Sequence, residues 1–220
     1  MKFDRRRRQM ISDIEAGVAV TRNLIGKDRL DKRVMTAMRQ VHREDFVPPD
    51  MRDAAFRDGA LPIGHGQTIS QPYIVALMTD LLELSEQSIV LEIGTGTGYQ
   101  AAILACLAKQ VYSIERIPAL AQAAQQRLQK MGYDNVETRC GDGYQGWPEK
   151  APFDGIVVTA AAPYVPPALL EQLKPGGRMV IPVGIPSMHQ ELMLVTRDLL
   201  GETHTSSVLG VAFVPLVEEN

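Results

Sequence analysis

The sequence predicts an α/β protein built on a doubly wound, mostly parallel seven-stranded sheet, with a C-terminal antiparallel hairpin and an N-terminal helical extension. Three observations carry that expectation. From Val90 onward, short apolar runs rich in β-branched residues alternate with helical patterns, as they do where crossover helices join parallel strands. The first of these runs, Val90-Leu91-Glu92-Ile93, leads into Gly94-Thr95-Gly96-Thr97-Gly98, with glycine at every second position. Past Gly184 the alternation stops, and two strand patterns follow one another without a helix between them. A chain of 220 residues with 45% hydrophobic content suffices for one sizeable core and a small appendage. Residues 1–60 are accordingly expected to be a helical extension packed on the core, and residues 61–220 the main domain.

Each element has a local reason. Arg5 to Arg8 read as a solvated N-terminal tail rather than a binding segment. Val34, Met38 and Val41 recur at i, i+4 and i+7, so Leu30 to Val41 is expected to be an amphipathic helix over the sheet or its cleft. Pro48-Pro49 ends whatever precedes it, and Met51 to Asp58 is expected to form a further short helix. Leu61 to Pro72 holds too many turn formers for regular structure and reads as a functional loop. Ser70-Gln71-Pro72 then opens a helix whose apolar face carries Val75, Met78, Leu81 and Leu82, with Ser70 placed as its N-cap. Parallel strands are expected at Ser88 to Ile93, Gln110 to Glu115, Val136 to Arg139, Gly155 to Thr159 and Arg178 to Val183. Between them, one helix spans Tyr99 to Leu107 and another runs from Pro118 to its stop at Gly132. A third begins near Val165 and stops at the Lys174-Pro175-Gly176-Gly177 turn. Glu191 to Arg197 and Val208 to Val214, with Gly201 in the turn, complete the hairpin.

Composition excludes several classes of function. A net charge of −3 and a pI near 5.8 give no electrostatic footprint for nucleic acid. No segment is apolar and long enough to span a membrane, and Asp13 and Glu15 follow the arginine run where an export signal would be apolar. Cys106 and Cys140 are too few for a disulfide framework. His42, His65, His189 and His204 are scattered singly, so no metal site is expected. A reducing cytoplasm and a monomer are the simplest setting.

The glycine loop points to a cofactor. Glycines there let the backbone turn sharply and approach a ligand closely, and the following helix aims its free N–H groups back at it. A dinucleotide fingerprint requires G-x-G-x-x-G, whereas this loop reads G-x-G-x-G with an acid, Glu92, in the strand. That variant suits S-adenosylmethionine better than a nicotinamide dinucleotide; a purely structural strand-to-helix turn is the alternative. Gly94, Thr95, Gly96 and Gly98 are the candidate loop contacts. Glu115 ends the second parallel strand, where a carboxylate accepts from both ribose hydroxyls, although Arg116 beside it also fits an ordinary strand-end ion pair. Asp142, with Gly143, stands in Gly141-Asp142-Gly143, suited either to an adenine amino group or to a plain turn. Glu92 points toward the loop, where it can fix amides or meet a ligand ammonium. Thr159 ends the fourth strand and joins the set. After it come Ala160-Ala161-Ala162-Pro163 rather than the Asn/Asp-Pro-Pro-aromatic run of base-amine methyltransferases.

The acceptor side rests on Thr68 and Ser70, two hydroxyls on one loop at the start of a helix, where partial positive potential suits a carboxylate. Capping alone is the other reading of Ser70. An acceptor carboxylate, with a pKa of about 4, is already ionised at neutral pH and needs no general base. Alignment then supplies most of the catalysis. His65, between two glycines, either faces the site or is solvated.

These residues together resemble the protein-L-isoaspartate (D-aspartate) O-methyltransferase family. The resemblance runs from Val41-His42-Arg43-Glu44-Asp45-Phe46-Val47-Pro48 through Leu61 to Pro72, Val90 to Gln100, Gly141-Asp142-Gly143 and Lys174-Pro175-Gly176-Gly177 to Phe213-Val214-Pro215-Leu216, in family order. It implies a Rossmann-like class I methyltransferase domain over residues 61–220. By resemblance Ser70 is the active-site serine, and Gln67, Thr68, Ile69 and Ser70 line the junction of cofactor and substrate. Glu115, Asp142 and Gly143 match cofactor contacts, and Val214 lies where backbone groups hold the substrate peptide. The implied reaction moves a methyl group from S-adenosylmethionine to the α-carboxylate of L-isoaspartyl, and D-aspartyl, residues in damaged proteins, leaving S-adenosylhomocysteine and opening repair through a succinimide. Val75 and Val217 depart from polar family positions, and the segment before Leu30 exceeds the compact bacterial pattern. A small-molecule carboxyl or hydroxyl methyltransferase, or a non-enzymatic S-adenosylmethionine-binding protein, would share the glycine loop without the Gly64 to Ser70 loop.

Overall fold

The computed structural model of the chain describes residues 3–185 and 188–217. Its N-terminal part is more regular than the sequence pattern suggests. The arginine run expected to be a solvated tail lies inside α1 (Asp4–Ile25), a helix of 22 residues. Arg6 pairs with Asp53 at 2.6 Å, and Arg7 pairs with the buried carboxylate of Glu44. The inward stripe of Met10, Ile11, Ile14 and Val18 is narrow and broken by charge, and packing rather than propensity stabilises such a helix. Gly26 ends it in the left-handed conformation, its N–H on the Arg22 carbonyl. Helix α2 (Lys32–Gln40) falls where the apolar spacing put it, with the Asp31 carboxylate accepting from the Arg33 N–H at 2.6 Å.

Three expectations fail in the next segment, where backbone hydrogen bonds rather than apolar spacing decide the chain's course. Met51 to Asp58 is not a helix; a 3₁₀ turn at Pro49–Met51 is followed by irregular turns. Arg43 draws in the Ala55 and Gly59 carbonyls there. The loop expected to be irregular instead forms a hairpin, β1 (Leu61–Gly64) and β2 (Gln67–Ile69), separate from the main sheet. His65 and Gly66 turn it at positive φ, with His65 exposed at the tip. Helix α3 (Pro72–Leu81) follows, and its N-cap is Gln71 rather than Ser70. Asp58 supplies the missing cap, accepting from the Tyr73 N–H at 3.0 Å.

The wound sheet then begins. Strand β3 (Ile89–Ile93) precedes α4 (Tyr99–Ala105) and β4 (Gln110–Glu115), and α5 (Pro118–Lys130) leads to β5 (Val136–Cys140). Strand β6 (Phe153–Val158), α6 (Pro167–Gln172), β7 (Leu173–Gly184), β8 (Gln190–Arg197) and β9 (Thr203–Val211) complete it. The seven strands lie in the order β5-β4-β3-β6-β7-β8-β9; the first five are parallel, and β8 and β9 add antiparallel. Lys174-Pro175-Gly176-Gly177 is part of β7, not a turn after a long helix, and α6 stops before it. Strand β9 starts at Thr203, earlier than the apolar pattern, because Thr203 to Ser207 lie exposed on the sheet edge and carry no hydrophobic alternation.

The pleat of β3 divides the core. Val90 joins a cluster with α1, α2, α3 and α4, while Leu91 and Ile93 face Trp147, Phe153 and Leu169 on the other side. Ile14 is fully buried in the first cluster, so the extension shares the core of the sheet. Ile14→Ala is expected to lower unfolding free energy by about 2–5 kcal/mol in urea titration; a loss below about 1 kcal/mol would make α1 an accessory.

Candidate active site

Strand β3 lies between β4 and β6, so the winding reverses at its carboxyl end and a crevice opens there. The glycine loop forms the crevice floor. Gly94, Gly96 and Gly98 take φ of 96°, 54° and 89°, which residues with a Cβ rarely adopt. Thr159 clamps the loop, its hydroxyl donating to the Gly94 carbonyl at 2.7 Å and the Ile93 carbonyl at 3.0 Å. A side chain on Gly94 would overlap that hydroxyl. Gly94 and Thr95 donate to the Ile114 carbonyl, Gly98 donates to Thr95, and Gly96 donates to Glu115. Most loop amides are thus engaged within the protein, and the loop serves chiefly as a shaped floor.

The acids sort by environment. Glu115 accepts from the Gly96 N–H at 2.7 Å on one oxygen and from the Ile117 N–H at 2.9 Å on the other. Each oxygen keeps a lone pair for a further donor, and the carboxylate lines the crevice. Glu92 lies beneath the loop, fully buried and outside the crevice lining. It accepts from the Ser113 hydroxyl, which meets the Thr95 hydroxyl at 2.6 Å. Burial pushes its carboxyl up to about 8, against the Ser113 hydrogen bond and with the help of the nearby Glu115 charge. Glu92 therefore holds the loop through Ser113 and lines neither the crevice nor the small hollow beside it. Asp142 accepts from the Tyr144 N–H at 2.9 Å as a turn cap, which leaves its other oxygen without this bond, and Gly143 beside it lines the crevice.

Three hollows meet at the hairpin. The crevice is narrow, with about 50 Å³ of enclosed space beneath an open mouth. It is lined by Gly94, Gly96, Glu115, Gly143 and Thr159 and closed by Val214 to Val217. A small hollow beside it is bounded by Ile69, Ser70, Val75 and the Gly94–Thr97 backbone. A surface groove runs from Ala60 and Ser70 to His189, Gln190 and Phe213. Thr68 lines all three, Ser70 lines the last two, and Gln67 lines the first. Gly98 packs against Leu128 instead and lines none of these hollows.

Across the groove, Gln190 brackets the Phe213 backbone, accepting from its N–H at 2.7 Å and donating to its carbonyl at 3.1 Å. The Val214 carbonyl accepts from the Ala161 N–H at 2.8 Å, and the Val214 N–H has no partner among the described residues. Gln190 and the apolar Ile114 and Ile117 went unmarked in the sequence because strand-end residues read as core until the strand order is known. The buried polar Gln190 at the start of an alternating strand was the available signal. Val75 and Val217, the two departures from the family pattern, both line hollows.

Carboxylate, glycine floor and apolar walls fit a nucleoside-bearing cofactor, and with this strand order they define a class I methyltransferase. The chain belongs to the protein-L-isoaspartate(D-aspartate) O-methyltransferase family, whose sequence pattern matches residues 18–220. It is 60% identical over 210 residues to protein-L-isoaspartate O-methyltransferase 2 of Syntrophobacter fumaroxidans, spanning 96% of this chain and 85% of that one. The enzyme of the same name from a Polaromonas species is 58% identical, with 94% and 98% covered. Among solved structures, a protein-L-isoaspartate O-methyltransferase superposes with a TM-score of 0.81 at 27% identity, over 95% of this chain and 65% of that longer one. A Plasmodium falciparum beta-aspartate methyltransferase, solved in complex with S-adenosyl-L-homocysteine, shares the fold with a TM-score of 0.76 at 24% identity, covering 94% of this chain and 98% of that one.

The raised Glu92 carboxyl gives a pH signature. Between its unfolded value near 4.5 and its folded value of about 8, the native state holds a proton that the unfolded chain has released, so stability falls as pH rises and levels off above that window. Glu92→Gln removes this dependence. Its Tm relative to the parent is expected to climb from pH 5 to 8 and then plateau; a pH-independent difference would mean that Glu92 is ionised in the fold.

Proposed function

We propose that this protein transfers a methyl group from S-adenosylmethionine to the α-carboxylate of L-isoaspartyl residues, and of D-aspartyl residues, in damaged proteins and peptides. The ester turns a poor leaving group into a good one, so the backbone amide displaces methanol and closes a succinimide that opens partly to normal aspartate. One observation carries the reading: Thr68 and Ser70 stand where the cofactor crevice meets the surface groove. When bound, S-adenosylmethionine supplies the activated methyl group and leaves as S-adenosylhomocysteine.

The residues of the chain do the rest. Glu115 accepts from the ribose hydroxyls, pre-oriented by the Gly96 and Ile117 amides. Gly94, Gly96, Thr159 and Gln67 shape the crevice, Ile69 the hollow beside it, Gly143 admits the ring, and Asp142 offers its remaining carboxylate oxygen to the adenine amino group. Gly98 and Glu92 support that surface from behind. Ser70 and Thr68 donate to the substrate carboxylate and turn one oxygen toward the methyl group, which holds the reactants in an attack geometry of about 3–3.5 Å. No base is required, because the acceptor is already ionised. The free Val214 N–H is the donor suited to a substrate backbone carbonyl, so the peptide lies extended and its side chains go largely unread.

We further take residues 1–60 as an extension built onto the methyltransferase domain at 61–220. Two exposed free cysteines suit a reducing, cytoplasmic setting, and no described helix is long and apolar enough to cross a membrane. The working assembly is a monomer with protein and peptide substrates, and the net charge of −3 favours no nucleic-acid partner.

Competition between an isoaspartyl peptide and its aspartyl isomer for labelled methyl tests the function. Label on the isoaspartyl form alone is expected. Equal labelling would favour a general carboxyl methyltransferase, and cofactor binding by calorimetry without turnover a sensor. Ser70→Ala should lower kcat on the isoaspartyl peptide roughly tenfold or more while leaving S-adenosylhomocysteine affinity nearly unchanged. Glu115→Ala should do the reverse, raising the Kd by about 10- to 100-fold through loss of charge-assisted hydrogen bonds. If the two variants affected the same parameter, these roles would be wrong.

A further inference from the structure

Arg43 is fully buried, yet among the described residues it forms no ion pair. Its neighbour Glu44 is taken by Arg7. The charge is met by backbone carbonyls instead: Nη1 donates to Ala55 at 2.5 Å, and Nη2 donates to Gly59 at 3.0 Å and to Ser70 at 2.9 Å. Burial lowers this guanidinium to about 10. A buried charge is tolerable only while its hydrogen bonds are made, so those carbonyls are held where they stand.

The positions of the accepting carbonyls give the arrangement its meaning. Gly59 lies just before β1 and Ser70 just after β2, so a single nitrogen spans the base of the hairpin that carries Thr68. That hairpin pairs with no other sheet, and an isolated two-stranded ribbon is marginal in water. Its apolar anchors are the buried side chains of Ile63 and Ile69, with the half-buried Leu61 beside them. We infer that Arg43 is a positioning residue for methyl transfer: its buried guanidinium clasps the two ends of the hairpin and so sets where Thr68 and Ser70 stand over the crevice. The planar fork matters, because two donor nitrogens at a fixed angle reach two chain segments at once. The Tyr99 hydroxyl and the Arg43 Nε are both buried without a partner, and Tyr99 lines the same small hollow as Ser70.

The inference rests on the proposed roles of Thr68 and Ser70, and its test separates the two. The wild-type enzyme is first assayed on the isoaspartyl peptide; no labelling there overturns the functional reading itself. With wild-type turnover in hand, Arg43→Lys and Arg43→Gln are compared by steady-state kinetics and by calorimetry with S-adenosylhomocysteine. The expected result is an S-adenosylhomocysteine Kd within twofold of wild type for both, with kcat reduced at least tenfold in Arg43→Gln and less in Arg43→Lys, whose ammonium retains the charge without the fork. Unchanged kcat in both folded variants overturns the proposal. So does a loss of cofactor affinity in step with kcat, which marks a general structural role. If neither variant folds, hydrogen exchange on the wild-type enzyme decides: amides of residues 61–69 should exchange far more slowly than those at the exposed β8–β9 turn, and equal rates overturn the clasp.

Discussion

The hydrogen bond from the Gly96 amide to the Glu115 carboxylate ties the loop after β3 to the end of β4. These are the two strand ends between which the crevice opens, so one bond sets both its floor and its polar wall. Glu115 is held from its other side by Ile117, and Thr159 reaches from the end of β6 to grip Gly94. Three neighbouring strands are therefore locked together by side chains at their carboxyl ends. A carboxylate fixed in this way is held in one orientation at the crevice wall.

Two acids on the same face of adjacent strands do opposite work because one stands a residue pair further toward the strand ends than the other. Glu115, at the strand end, stays open to the crevice. Glu92, in the middle of the central strand, is sealed and pushed toward its neutral form. The sealed acid stabilises the loop through the Ser113 and Thr95 hydroxyls, and the open one is left to the ligand. One loop is thus supported from below by a chain of hydroxyls and flanked by a charge.

The acceptor side is built differently, from segments outside the sheet. The β1–β2 hairpin has only its own two-stranded ladder, and the Phe213–Val214 segment and the turn at Gly59 lie outside the main sheet, so side chains tie these pieces to the rest of the fold. Gln190 brackets both backbone groups of Phe213 as a neighbouring strand residue would. Arg43 serves three carbonyls at once, and Asp58 caps α3 from outside it. Backbone polar groups must be satisfied somewhere. Where regular structure ends beside a ligand site, long side chains take over.

Periodicity and punctuation by themselves determined the wound sheet, the glycine loop and the crossover helices, because those elements form from local apolar spacing and from residues that tolerate positive φ. The same features located the crevice at the ends of β3 and β4, since strand ends are where a parallel sheet exposes its loops. The helix at Asp4–Ile25, the hairpin hidden in a glycine-rich loop, the edge strand starting at Thr203 and the cap at Asp58 were decided only in three dimensions. The hairpin and the edge strand pair with their chain neighbours, but the residues that fix the helix, the hairpin base and the cap lie far away: Arg7 reaches Glu44, Arg43 reaches Ser70, and Asp58 reaches Tyr73. Local sequence encodes what a segment does with its own hydrogen bonds and apolar face. What a buried side chain does with another segment's backbone depends on tertiary contact, and that is why Arg43 and Gln190 became visible only in the fold.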